Sequence, residues 1–149
     1  SATLSPGNSI TIFNTICGKM GVIICYDLRF LELTALLSKK NIKFLLVPGA
    51  FNMTTGPAHW ELLFKSRALD NQVYAIGTAP ARDENQSYVS YGNSIIVSPW
   101  GEVVKRLGGK EDILIADLKV NYLNKIREEL PILKHKRCDI YSIKEKRDI

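Results

Sequence analysis

Apolar positions arrive in short blocks separated by turn-forming residues, and the blocks alternate between strand-like and helix-like spacing. Ser9 to Asn14 alternates weakly and is rich in β-branched residues, Gly18 and Lys19 suit a turn, and Met20 to Ile24 reads as a buried strand. Together they predict a hairpin that delivers Cys25. Phe30, Leu33, Leu36 and Leu37 carry helical spacing, and Lys39 and Lys40 place positive charge at the carboxyl end of a helix that stops near Asn41. Lys43 to Val47 is the next predicted strand. A strand, turn, helix, strand unit of this kind crosses over so that Cys25 and Pro48-Gly49-Ala50-Phe51 share one edge.

Pro57 to Asn71 predicts a second helix, with Pro57 tolerated in its first turn and Trp60, Leu63, Phe64 and Ala68 facing inward. Gln72 to Gly77 follows as a strand, and the polar, aperiodic stretch Pro80 to Ser90 as a surface loop. Asn93 to Val97 and Glu102 to Leu107 flank the turn Ser98-Pro99-Trp100-Gly101 as a hairpin. Asp112 to Asp117 reads as a further strand, and Asn121 to Leu130 as a short amphipathic helix that Pro131 stops. The fold class is therefore α/β.

Composition narrows the function. The 149 residues carry 20 basic and 15 acidic side chains, a net charge of +5, with the densest basic clusters at Lys134-His135-Lys136-Arg137 and Lys144-Glu145-Lys146-Arg147. These clusters lack interleaved aromatics that stack bases, so they read as solvated faces and no nucleic-acid partner is expected. No apolar run is long enough to span a bilayer, and Ser1 to Gly7 has no charged region leading into an apolar stretch, so no membrane partner is expected. Cys17, Cys25 and Cys138 are odd in number and widely spaced, which suggests neither a disulfide framework nor a metal site. A reducing setting follows, cytosol or mitochondrion.

Chemistry is concentrated at Cys25. A thiol at a strand's carboxyl end sits where catalytic groups gather in α/β folds, and a thiolate is the nucleophilic form. A helix beginning just beyond Cys25 favours that thiolate, and the free amide of Tyr26 then points where a tetrahedral oxyanion forms. By position alone, a buried and inert core cysteine is the competing reading.

The segment Gly21-Val22-Ile23-Ile24-Cys25-Tyr26-Asp27-Leu28-Arg29-Phe30 resembles the nucleophile segment of the nitrilase superfamily, the carbon-nitrogen hydrolases. Pro48-Gly49-Ala50-Phe51-Asn52-Met53-Thr54-Thr55-Gly56-Pro57-Ala58-His59-Trp60-Glu61 and Arg67-Ala68-Leu69-Asp70-Asn71 resemble its second segment, in the omega-amidase branch. Gly92-Asn93-Ser94, Pro99-Trp100-Gly101-Glu102 and Arg127 through Tyr141 extend the likeness, with Asn93 standing where the family commonly has histidine. Several ordered segments are far more specific than one short motif.

The resemblance implies an α-β-β-α sandwich to which this chain gives strands of both sheets, two outer helices and a tail. Residues 1–149 are similar to the carboxyl-terminal part of a single carbon-nitrogen hydrolase domain, with 131–149 as a basic tail. It also implies hydrolysis of the omega-amide of a small α-keto acid through a cysteine thioester, with release of ammonia and with no cofactor or metal. Cys25 and Tyr26 are the implied catalytic residues, and Arg29, Phe51 and Thr55 the implied substrate-binding ones. Arg29 offers a planar fork for a carboxylate remote from the scissile amide. Homo-oligomers, dimers or larger, are implied as well.

The family's general-base glutamate and its lysine precede the nucleophile, in segments that this chain lacks. Lys19, Lys39 and Lys40 are unsuitable substitutes: the first lies at the far end of a strand and the others at a helix end. Glu32 and Glu61 are the nearest acids, and Glu61 reads first as an ion pair or cap. His59 suggests a Cys-His dyad, although nothing is placed to orient it, and His135 faces solvent. Two alternatives accompany the hydrolase reading: a catalytically incomplete interaction module, and a hydrolase of another amide, a nitrile or a carbamoyl compound.

Overall fold

The computed structural model describes residues 5–146, so Ser1 to Leu4 of the amino-terminal stretch and Arg147 of the last basic cluster lie outside the described residues. Strands β1 (Thr11–Thr15) and β2 (Gly18–Val22) form an antiparallel hairpin, paired from Thr15 with Gly18 to Thr11 with Val22. The reversal falls at Ile16-Cys17, not at Gly18-Lys19 as the sequence suggested. Thr15 explains the difference: its hydroxyl donates to the Gly18 carbonyl at 2.7 Å and accepts from the Cys17 amide at 3.2 Å, closing a tighter turn.

A 3-10 turn (Cys25–Arg29) leads into α1 (Leu31–Lys39), followed by β3 (Phe44–Pro48), α2 (Thr55–Asn71), β4 (Tyr74–Thr78), β5 (Ile95–Val97), β6 (Val103–Arg106) and α3 (Val120–Glu129). Within the described residues all six strands lie in one sheet, in chain order, rather than in two sheets. β2, β3 and β4 are parallel neighbours, so their carboxyl ends share an edge.

Asn52 sets the start of α2 two residues before Pro57. Its side-chain oxygen accepts from the amides of Thr54 at 3.1 Å and Thr55 at 2.8 Å, satisfying donors that a helix start leaves free. Asn41 and Gln72, both at positive φ, turn the chain out of α1 and α2. Arg127 of α3 ties those two exits together, donating to the Gln72 carbonyl, the Asn41 side chain and the Ile42 carbonyl at 2.8 to 3.0 Å.

The helices α1 and α2 cover one face of the sheet, where Leu28, Leu37, Trp60 and Phe64 pack on Leu45, Val47, Ala75, Ile95 and Val97. Truncating Trp60 at the centre of this core would cost about 3–5 kcal/mol. Gly77 permits the packing, since a Cβ there would collide with the Phe64 ring. On the opposite face, α3 places Leu123 against Phe44 and Tyr74.

The segment 112–117 forms no strand among the described residues. Its alternation is real, with Ile113 and Ile115 80% and 75% exposed and Leu114 and Ala116 turned inward, but no ladder pairs with it. A tether from the Lys105 ammonium to the Ile115 carbonyl holds it beside β6 at 3.0 Å. Periodicity reports which face a residue takes and says nothing of a pairing partner.

Glu61 links α2 to β6, accepting from Lys65 at 2.8 Å and Arg106 at 2.6 Å. The Lys65 hydrogen bond, helped by both positive charges against a smaller burial effect, holds its carboxyl below the ordinary range. A lowered carboxyl stabilises the fold above its unfolded-state pKa, and that contribution is lost as pH falls through the folded value. Because the pair is partly solvated, Glu61→Gln is expected to cost less than about 1 kcal/mol at neutral pH. Urea unfolding of both forms checks this: the gap should close in acid, and a gap independent of pH would contradict the ion-pair role.

Candidate active site

Three parallel strand ends build the site. The residues that follow β2, β3 and β4, namely Ile24-Cys25, Gly49-Ala50 and Ala79-Pro80, line an open pocket together with Pro48 and Thr78. Cys25 occupies it with φ at +48°, a left-handed backbone that a non-glycine residue adopts at a cost of about 1–3 kcal/mol. Neighbouring groups over-determine that conformation. The Asp27 carboxylate accepts from the Ile24 amide at 2.9 Å, and the Asp27 amide donates back to the Ile24 carbonyl at 3.0 Å.

Arg67 anchors the turn from α2. This buried guanidinium donates to the carbonyls of Leu28 and Arg29, each at 3.0 Å. Burial pulls its pKa down, while the charges of Asp70 and Glu32 push it back up. Gly49 packs against the Cys25 backbone, where an added Cβ would meet the Cys25 Cα at 3.0 Å.

Cys25 is half-buried, and its Sγ donates to the Ala50 carbonyl at 3.7 Å. The Tyr26 amide has no acceptor among the described residues, so it is free to meet a developing oxyanion. The α-helix does not begin just beyond Cys25 as the sequence suggested. Asp27 closes a 3-10 turn there, and Phe30, extended at φ −95° and ψ 101°, separates it from α1.

Arg29 lies with its guanidinium carbon 4.8 Å from the ring centre of buried Phe51 and 5.6 Å from that of Tyr26. No carboxylate among the described residues pairs with it. Its Nη1 instead donates to His59 Nδ1 at 3.3 Å, so His59 partners the arginine and the thiol turns to Ala50. The dyad that His59 suggested is thus not formed. Thr55 lies one turn before His59 on α2, its hydroxyl donating to Asn52 at 3.0 Å with lone pairs left to accept.

The remaining candidates are held elsewhere. Lys19 donates to the Lys40 carbonyl, Lys39 to the Ile143 carbonyl, and Lys40 pairs with Glu145. Glu32 is exposed at the start of α1, and no cluster of three or more metal-ligating side chains occurs among the described residues. An apolar groove lined by Leu31, Ala35, Ile132 and Ile143 lies on the helical side, outside the thiol pocket.

Tyr88 was not anticipated. Its hydroxyl donates to the Ala50 carbonyl at 2.6 Å, the same oxygen that the Cys25 thiol approaches, and burial followed by the charge of Cys25 raises its pKa. The loop that carries it is pinned by Arg82, which donates to the Tyr91 carbonyl, and by a bridge between Asn52 and Ser90. The signal was faint: a lone aromatic in a polar stretch that leaves the sheet at the edge of the site.

Gly49→Ala is expected to displace Cys25 and lower any turnover that depends on its thiol roughly a hundredfold, the scale of a reacting atom misplaced by about 1 Å. Gly108→Ala, where an added Cβ meets nothing within 4 Å, is the control. Equal turnover in the two variants would remove Gly49 from the account.

The carbon-nitrogen hydrolase family model matches residues 1–128. Omega-amidase NIT2 of Xenopus tropicalis is 57% identical over 148 residues, covering 99% of this chain and 54% of that protein. The crystal structure of Saccharomyces cerevisiae Nit3, a member of branch 10 of the nitrilase superfamily, has a TM-score of 0.87 at 46% identity and covers 92% of this chain and 51% of its own. A mutant amidase from Nesterenkonia sp. AN1, showing Michael addition of acrylamide at its active site cysteine, has a TM-score of 0.69 at 26% identity, covering 88% of this chain and 51% of its own. The chain thus spans about half the length of the curated relatives it matches. With its mixed α/β fold shared with nitrilase-superfamily structures and its family match running through all three parallel strands, this chain belongs to the carbon-nitrogen hydrolase family.

Proposed function

We propose that the protein carrying this chain hydrolyses the omega-amide of a small α-keto acid, of the α-ketoglutaramate or α-ketosuccinamate type. The observation that carries the reading is an uncancelled positive charge, Arg29, four residues after a thiol at a shared strand edge. A fixed guanidinium suits the substrate's carboxylate, and the flat Phe51 ring beneath it suits a short carbon chain. The omega-amidase names of relatives support the same substrate class.

In this reading the Cys25 sulfur attacks the amide carbon and the carbonyl electrons move to oxygen, where the Tyr26 amide meets the negative charge. Collapse expels the nitrogen, which leaves as ammonia after taking a proton, and a thioester remains on Cys25. Water then attacks the thioester, giving the keto dicarboxylate and restoring the thiol. The glutamate that moves these protons and the lysine that shares the oxyanion come from the remainder of the full-length protein. Exposed Phe13, Val104, Ile113 and Ile115 support burial of further polypeptide, in the same chain or in an oligomer.

Ammonia release by the full-length protein tests the proposal. Turnover of α-ketoglutaramate should exceed that of a neutral amide and should fall to background in Cys25→Ala. Turnover that survives in Cys25→Ala would exclude the thioester route, and turnover confined to carbamoyl or nitrile compounds would exclude the keto-acid reading.

A further inference from the structure

Arg29 is a half-buried cation whose nearest polar side-chain partner is an imidazole, not an acid. Each carboxylate nearby is committed or turned away. Asp27 accepts from the Ile24 amide, Glu32 is exposed, and Glu61 pairs with Lys65 and Arg106. The other guanidinium in this region, Arg67, is occupied by the carbonyls of Leu28 and Arg29. Nothing here neutralises Arg29.

To accept from a guanidinium, His59 Nδ1 must carry its lone pair, so the ring is neutral with its proton on Nε2. One of Arg29's five donors is then used, and its remaining edges stay free for a two-point bond to a carboxylate. Two rings restrict the same group, Phe51 at 4.8 Å and Tyr26 at 5.6 Å from its central carbon. The imidazole is itself rigidly mounted, on α2 one turn after Thr55 and beside Trp60, whose indole donates to the Asn93 carbonyl at 2.8 Å. An aspartate in its place would orient Arg29 equally well and cancel its charge. A neutral acceptor orients it and leaves the charge for the ligand.

We propose that His59 is a positioning residue for substrate selection: it fixes the Arg29 fork toward the carboxylate of a keto-acid amide while leaving that fork's charge uncompensated. The proposal rests on the substrate reading above and assigns His59 no contact with the reacting atoms.

Steady-state kinetics of the full-length protein on α-ketoglutaramate and on a neutral amide of equal chain length test it, with His59→Leu, His59→Asn and His59→Asp. Losing the acceptor in His59→Leu should raise KM for the acidic amide roughly tenfold, in line with a hydrogen bond to a charged group, leaving its kcat and the neutral amide unchanged. His59→Asn, which offers an amide oxygen in place of Nδ1, should restore KM. His59→Asp should raise it at least as far as His59→Leu by satisfying Arg29 internally. Thermal melts establish that each variant is folded, and any one that is not leaves the other two to decide.

Variants that match wild type on the acidic amide, or that lose both amides equally, would overturn the role of His59 alone. Wild-type protein with no preference for the acidic amide would overturn the substrate reading beneath it.

Discussion

Contact between Gly49 and the Cys25 backbone is the constraint on which the site depends. Two parallel strands can end side by side with a turn and a helix on each only where the chains leaving them do not collide, and here the Gly49 position lies 3.0 Å from the Cys25 Cα at the point a Cβ would occupy. Removing that carbon lets the left-handed turn at Cys25 settle onto the edge of β3. The strain of a positive φ is then held by Asp27 within the turn and by Arg67 reaching across from α2. A sulfur at the strand edge with a free amide following it is the result.

The same edge organises the groups around the thiol. β3 exits through Gly49-Ala50 to Phe51, whose ring meets Trp60 edge to face and supports Arg29. β4 exits through Ala79-Pro80 into the loop that returns Tyr88 to the Ala50 carbonyl. Hydrogen bonding then separates the arginines. Arg67 and Arg127 each spend two donors on backbone carbonyls and one on a neighbouring side-chain oxygen, whereas Arg29 meets an imidazole and two ring faces. An arginine with filled donors locks a fold, and Arg29 keeps donors free.

Much of this was legible in the sequence, and the exceptions share a cause. The Phe30, Leu33, Leu36, Leu37 spacing marked α1 to within two residues at each end, and the crossover rule placed Pro48 to Phe51 beside Cys25. Both follow from local pattern. The turn at Ile16-Cys17 escaped because Thr15 hydrogen bonds outweighed the turn preference of Gly18, and the 112–117 segment because alternation does not supply a neighbouring strand. Tyr88 and the Arg29–His59 bond escaped for a different reason: they join positions 38 and 30 residues apart, a closeness that only the folded chain creates. The family resemblance pointed to Cys25, Arg29, Phe51 and Thr55, and the coordinates add why Arg29 stays available.

The central claim is that Cys25 is the acyl-forming nucleophile, and the competing reactivities of the three thiols test it directly. Cys17 and Cys138 are exposed and Cys25 is only half-exposed, so accessibility alone would leave Cys25 the slowest to alkylate. Timed iodoacetamide labelling of the full-length protein, read by peptide mass, should instead find Cys25 modified first. If Cys17 and Cys138 are consumed while Cys25 persists, the thiol is inert and the hydrolase account fails.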